Sequence, residues 1–180
     1  MRTFIAINFD KTVKKYISGI KNVVKENSKS GNFTDEENYH LTVRFIGESD
    51  EDDIEEICTA MDEACSSFKK FGLSIGGLGF FPRGNKSIVW VGMEKNKSLE
   101  ILYSRLEKSL QKHGFGKNRQ GLSPHITIAR EVDLKKSYDW LKKEIAQEKC
   151  EMTVESVSLM ESVRKGSKLI YVPRYVKKLK

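Results

Sequence analysis

Apolar positions along the chain change period in a regular order, and the order repeats. From Thr3 to Phe9 the residues are mostly apolar, as in a first strand. Asp10 follows as a candidate N-cap. Val13, Tyr16, Ile17, Ile20, Val23 and Val24 then recur at helical spacing, which predicts a helix from about Lys11 to Glu26. Ser28 to Asn32 reads as a small-polar linker, and the alternating stretch from about Tyr39 to Ile46 as a strand closed by Gly47. The acidic run Glu48 to Glu56 opens a second helix with Ile54, Ile57, Cys58, Met61, Cys65 and Phe68 on one side. Carboxylates suit the positive end of its dipole, so this run needs no ligand. Phe71, Leu73 and Ile75 alternate as a strand.

Gly76-Gly77-Leu78-Gly79 reads as a turn or bulge, because a phosphate loop must open a helix and this one runs into Phe80-Phe81-Pro82. After a loop over Phe80 to Lys86 the order resumes. A strand from Ser87 to Met93 leads to a helix from about Lys97 to His113, with Leu99, Leu102, Leu106 and Leu110 as its stripe and Gly114 as its stop. A loop with Lys117 and Arg119 precedes a strand at Pro124 to Ile128. A helix from about Leu134 to Gln147 and strands near Met152 to Met160 and Lys168 to Val172 complete the chain. Strand, helix, strand, helix, strand thus occurs twice, at the offset of 85 residues that separates position 40 from position 125. Two copies at one long offset imply duplication of a unit rather than a solenoid. The expected fold is α+β: a single domain of two pseudo-repeat lobes, approximately 1-80 and 87-165 with a C-terminal strand over 168-173. Antiparallel-type sheets would line a central cleft, with helices outside.

Composition narrows the class. With 180 residues, 38% hydrophobic and 32% charged, the chain fits a soluble globular protein. No apolar run approaches the roughly 20 residues of a membrane span, and the opening residues read as a strand, not a signal peptide. Three cysteines, Cys58, Cys65 and Cys150, argue against a disulfide framework and for buried thiols in a reducing cytoplasm, the expected location. Lys and Arg number 32 against 25 Asp and Glu, a formal charge of +7 that points only weakly to an anionic partner. Lys177-Lys178-Leu179-Lys180 reads as a solvated tail.

The chemistry sits in the repeated strand. Tyr39-His40-Leu41-Thr42-Val43 and Pro124-His125-Ile126-Thr127-Ile128 share the order His, aliphatic, Thr, aliphatic. Alternation places His40 with Thr42, and His125 with Thr127, opposite the aliphatic residues that anchor each strand. Packing alone gives no reason for two copies of that polar pair. Two facing imidazoles are a general acid and a general base near neutral pH. Arg44 has the parity of His40 and Thr42, which makes it a candidate phosphate ligand. Arg130 has the opposite parity, so a strand end or bulge must precede it if it is to reach the same face. His113, at a helix end, is read as structural. No C-x-x-C, H-x-x-x-H or carboxylate–histidine cluster is present, so neither a metal nor a cofactor is expected. Trp90, Phe81, Phe4 and Phe9 are core candidates, any one of which could stack on a base.

These residues resemble the paired H-x-T-x motifs of the 2H phosphoesterases, and most closely the RNA 2′,3′-cyclic phosphodiesterases, also called 2′-5′ RNA ligases. The resemblance extends to Arg2-Thr3-Phe4-Ile5-Ala6-Ile7, Leu41 to Glu48, Phe81-Pro82, Val89-Trp90-Val91-Gly92, Pro124 to Arg130 and the closing Val157 to Tyr171. It implies opening of a terminal 2′,3′-cyclic phosphate of RNA to a 2′-phosphate, with the acid and base roles on the two motif histidines; the resemblance does not orient the substrate, and our own assignment is His40 as proton donor and His125 as proton acceptor. Thr42, Thr127, Arg130 and Arg44 would bind the phosphate. The expected partner is RNA or an oligonucleotide with a 2′,3′-cyclic phosphate end, the chain acting as a monomer without membrane or protein partner. The alternatives are ligation through a 2′-5′ linkage, cleavage of a 2′-5′ linkage or a small cyclic phosphate, and a binding module that holds RNA ends without turnover.

Overall fold

The apolar run at the start forms β1 (Arg2–Asn8), in which Thr3 to Ile7 are all buried. A strand covered on both faces belongs in the middle of a sheet, and β1 lies between β3 (His40–Glu48) and β8 (Ser156–Lys165). The computed structural model describes residues 1–145 and 148–180. Its first sheet has the order β3-β1-β8-β9, where β9 is Lys168–Lys178. The second has the order β2-β6-β5-β4-β7, formed by Ser28–Phe33, Ile126–Leu134, Lys86–Met93, Phe71–Arg83 and Cys150–Val154. Neighbouring strands are antiparallel throughout. The fold is α+β, with helices packed on these sheets through one shared core.

Local chemistry starts each helix at a capping side chain, and α1 and α3 begin where the sequence predicts. α1 (Lys11–Glu26) begins at Asp10, whose carboxylate accepts from the Val13 N–H at 2.9 Å. α2 (Glu51–Cys65) opens on a reciprocal pair, Asp50 and Asp53, each side chain accepting from the other's backbone N–H. Asn96 caps α3 (Lys97–Lys112) and Ser137 caps α4 (Tyr138–Glu144). α4 is shorter than predicted because β6 extends to Leu134; its expected end at Gln147 lies outside the described residues.

The sheets do not follow the sequence halves 1–80 and 87–165. β4, from the first half, pairs with β5, and β8, from the second, pairs with β1. Helices cross over as well. α1 packs on β2, β6 and β7 of the second sheet. α3 packs on α2 and bonds β3 of the first sheet through Glu107 and Arg44, while α2 holds β9 through Asp62, Tyr175 and Lys177. Each repeat therefore builds part of both sheets, and each sheet needs both repeats.

Four expected segments differ. The Ser28 to Asn32 linker is β2, an edge strand held to β6 by backbone bonds in an irregular register, so small polar residues carry no periodic signal of it. The Phe80 to Lys86 loop is the end of β4 and a tight Gly84-Asn85 turn into β5. β7 pairs only with Phe71 to Ile75 of β4, so Pro82 falls where that edge is free and its missing N–H breaks no ladder. The Met152 to Met160 strand is two strands split at Glu155, where the chain changes sheets. The basic tail docks: Lys177 pairs with Asp62 at 2.7 Å, Leu179 is buried, and Lys180 exchanges backbone bonds with Phe68 and Lys70. Among the described residues no helix is long and apolar enough to cross a membrane.

The glycine stretch is a bulge inside β4, with Gly77 at φ +85 and a register shift between Ile75 and Leu78. Gly79 lies opposite Trp90, and a Cβ there would come within 2.1 Å of the indole ring. Gly79→Ala should therefore displace Trp90 and destabilise the fold by about 1–3 kcal/mol. Chemical denaturation checks this, an unchanged midpoint being the contrary result.

Candidate active site

Period-two alternation holds for the first residues of each motif strand. Leu41 and Val43, and Ile126 and Ile128, are buried in the core. His40, Thr42, His125 and Thr127 face one cleft of about 630 Å³. After the threonine both strands slip by one residue. Thr42 pairs with Ala6 and Arg44 with Ile5, so Val43 is bulged; Thr127 pairs with Trp90 and Ala129 with Val89, so Ile128 is bulged. The two bulges are 85 residues apart, at the same place in each copy. Each slip turns the second residue after the threonine inward and the third into the cleft.

The slip settles where the two arginines go. Arg130 lines the cleft with the histidines. Arg44 does not: it is 8% exposed, bonds Glu107 through Nε, and donates to the carbonyls of Phe45 and Gly116. Glu107 also accepts from the Asn118 N–H at 3.0 Å, which ties down the loop leading to His125. The expectation that Arg44 binds phosphate is thus corrected, and Phe45, 45% exposed, takes the cleft position.

Both imidazoles are held by the same contact. His40 Nδ1 lies 2.8 Å from the Asn38 carbonyl oxygen, and His125 Nδ1 lies 2.7 Å from that of Ser123. A carbonyl only accepts, so Nδ1 carries hydrogen and Nε2 is left to exchange a proton. His40 Nε2 is 3.0 Å from Thr42 Oγ1. The His40 ring packs against Phe4 at 4.8 Å and edge-on to Tyr171 at 4.9 Å; His125 lies edge-on to Phe81 at 5.2 Å and near Trp90 at 6.0 Å. Burial lowers the pKa of His40 below its ordinary value; the hydrogen bond to Asn38 opposes this, and the charges of His125 and Arg130 add to it. Phe9 is in the core, and Lys117 and Arg119 are outside the cleft lining.

Sequence reasoning missed more than half of the cleft lining. Arg2, Thr34, Asn38, Phe45, Ser162, Arg164, Leu169 and Tyr171 also line it. Arg2 shares the parity of Phe4 on β1, a signal that becomes readable once β1 is placed beside β3. The β8 and β9 residues needed the strand pairing itself. Among the described residues no carboxylate lines the cleft, and no group of three His, Cys, Asp or Glu could hold a metal.

Two measurements follow from this geometry. Arg44→Met leaves Glu107 buried without its partner and should destabilise the fold by about 3–5 kcal/mol, whereas Arg44→Met with Glu107→Leu should recover much of the loss; denaturation of both variants decides it. Imidazole NMR titration should place the His40 midpoint below the ordinary 6.5. It should place that of His113 above 6.5, since the Glu56 carboxylate lies 2.5 Å from its Nδ1. Their linkage signs are opposite. The fold resists protonation of His40, so its contribution to stability weakens as pH falls below about 6.5. The His113 pair adds stability that is full below about 6.5 and is lost as pH rises through its raised folded value.

A family model of the 2′-5′ RNA ligase superfamily matches residues 12–166. The RNA 2′,3′-cyclic phosphodiesterase of Thermotoga maritima is 37% identical over 131 residues, 72% of this chain and 70% of that one. The protein of the same name from Methanocaldococcus jannaschii is 32% identical over 131 residues, 72% of this chain and 71% of that one. Among solved structures, a Thermus thermophilus protein superposes with a TM-score of 0.80 at 19% identity, covering 99% of this chain and 98% of its own. E. coli LigT complexed with 3′-AMP gives 0.78 at 20%, covering 99% and 97%. At those identities the structural likeness shows the fold. With a family match over most of its length and relatives above 30% identity, the chain belongs to the 2′-5′ RNA ligase superfamily, the 2H phosphoesterases.

Proposed function

We propose that the protein hydrolyses the terminal 2′,3′-cyclic phosphate of RNA to a 2′-phosphate by acid–base catalysis between His40 and His125. The observation that carries this reading is the duplicated imidazole: two H-x-T strands, each with Nδ1 on the carbonyl two residues earlier, share one cleft without a carboxylate. The names of the Thermotoga and Methanocaldococcus relatives support the substrate.

In this mechanism His125 Nε2 takes a proton from water as the oxygen attacks phosphorus. The bond to the ribose 3′-oxygen breaks, and His40 Nε2 gives that oxygen its proton. Thr42 and Thr127 donate to the non-bridging oxygens, and Arg130 balances the phosphate charge. Burial holds His40 neutral in the free protein, whereas a donor must be protonated. A phosphate anion beside the ring opposes that effect, so His40 takes up its proton as substrate binds. A binding module would gain more from permanent cations than from imidazoles at these two positions.

His40→Ala and His125→Ala should each lower turnover by about 10²–10⁴ while leaving circular dichroism unchanged. A substrate with bridging sulfur in place of the 3′-oxygen separates the roles, because a thiolate leaves without an acid: it should restore turnover to His40→Ala and not to His125→Ala. The opposite pattern exchanges the assignments. The direct test is an oligonucleotide ending in 2′,3′-cyclic phosphate, with a 2′-phosphate product expected. The two imidazoles and Arg130 supply acid, base and charge, so turnover should persist in EDTA. No opening of the ring, or a 3′-phosphate product, overturns the reading.

A further inference from the structure

The cleft presents more permanent positive charge than one cyclic phosphate can use. Arg2, Arg130 and Arg164 all line it. Other arginines of the first sheet are paired: Arg44 with Glu107, and Arg174 with Glu51 and Glu161. Among the described residues no ion pair engages the three in the cleft. The carboxylates beside them are taken: Glu48, opposite Arg2, by the N-terminal amine, Glu131 by Lys86 and Glu161 by Arg174. A 2′,3′-cyclic phosphate carries one negative charge, and Arg130 is the arginine whose field reaches His40. Two guanidinium groups then remain without a counter-charge.

Their place in the first sheet gives them a direction. Tyr171, whose ring touches His40, lies opposite Ser162, and Ser162 lies opposite Arg2. One same-face step along β8 and β9, about 6.7 Å, leads from that row to Arg164 and its partner Leu169. Arg2 and Arg164 thus continue the cleft from the His40 ring toward the β8–β9 turn. The Arg2 guanidinium lies over the Phe45 ring at 5.1 Å, which orders the side chain before any ligand arrives.

We infer that Arg2 and Arg164 bind the phosphate on the 5′ side of the terminal nucleotide, making the enzyme selective for oligonucleotide ends over mononucleoside cyclic phosphates. The inference rests on the phosphodiesterase reading. At a 3′ end closed by a cyclic phosphate, every further phosphate lies on the 5′ side. A guanidinium also matches phosphate oxygens in a bidentate way.

The experiment compares cytidine 2′,3′-cyclic phosphate with a trinucleotide bearing the same end. In the wild type kcat/KM for the trinucleotide should be at least about tenfold higher, as expected for a charged hydrogen bond gained. Arg164→Ala should collapse this ratio toward one. It should also reduce the slope of log kcat/KM against log salt by about 0.7 for the trinucleotide, the value for one lost single-strand phosphate contact. Arg164→Lys, which keeps the charge, should retain most of the slope. Equal wild-type values for the two substrates, or a slope untouched by Arg164→Ala, overturn the inference while leaving the phosphodiesterase reading intact. If neither substrate is opened, that reading fails, and the inference is decided by anisotropy with a fluorescent 2′-O-methyl trinucleotide 3′-phosphate. Binding weakened at least about tenfold by Arg164→Ala supports it; equal binding overturns it.

Discussion

An imidazole serves in proton transfer only if one nitrogen is committed and the other is free. In this protein both commitments are made by backbone carbonyls, Asn38 to His40 and Ser123 to His125. Each carbonyl belongs to the turn that feeds the motif strand, so the tautomer is set by main-chain geometry and not by a carboxylate. The absence of a carboxylate partner keeps the cleft free of negative charge, which an anionic substrate requires. Aromatic rings then fix each imidazole from the side, Phe4 and Tyr171 for one, Phe81 and Trp90 for the other.

The slipped strands show how a duplicated unit became asymmetric without losing its frame. Val43 and Ile128 bulge at equivalent places, so Arg44 corresponds to Ala129 and Phe45 to Arg130. In the second copy the outward position carries charge into the cleft that holds both histidines. In the first it carries a ring under Arg2, while the inward position buries an ion pair that holds the loop ahead of His125. The second sheet supplies His125, Thr127 and Arg130 to the cleft, and most of the remaining lining comes from the first.

What could be read from the sequence divides along the same physical lines. Helix starts were legible because capping is local: Asp10 and its apolar stripe are enough to place α1. The four cleft residues His40, Thr42, His125 and Thr127 were legible because alternation reports which face a side chain takes. Alternation does not report which strand lies alongside, so Arg2, Arg164 and Tyr171 stayed hidden, as did the way each repeat gives strands to both sheets. It also misses a bulge. The parity of Arg130 had already called for one, and the 85-residue offset would have carried that demand to Arg44. β2 was invisible because its residues pair through backbone and bury little.

The pairing of β1 with β8 joins the beginning of the chain to residues 156–165, and β9 adds the last turn of contacts. Contacts so distant along the polymer are slow to form and are made after the local ones. Phe4 and Tyr171, the two rings that flank His40, come together only when that distant pairing is made. The rings beside His125, Phe81 and Trp90, lie on the consecutive strands β4 and β5, so its support needs only a local pairing, whereas support for His40 waits on the distant one.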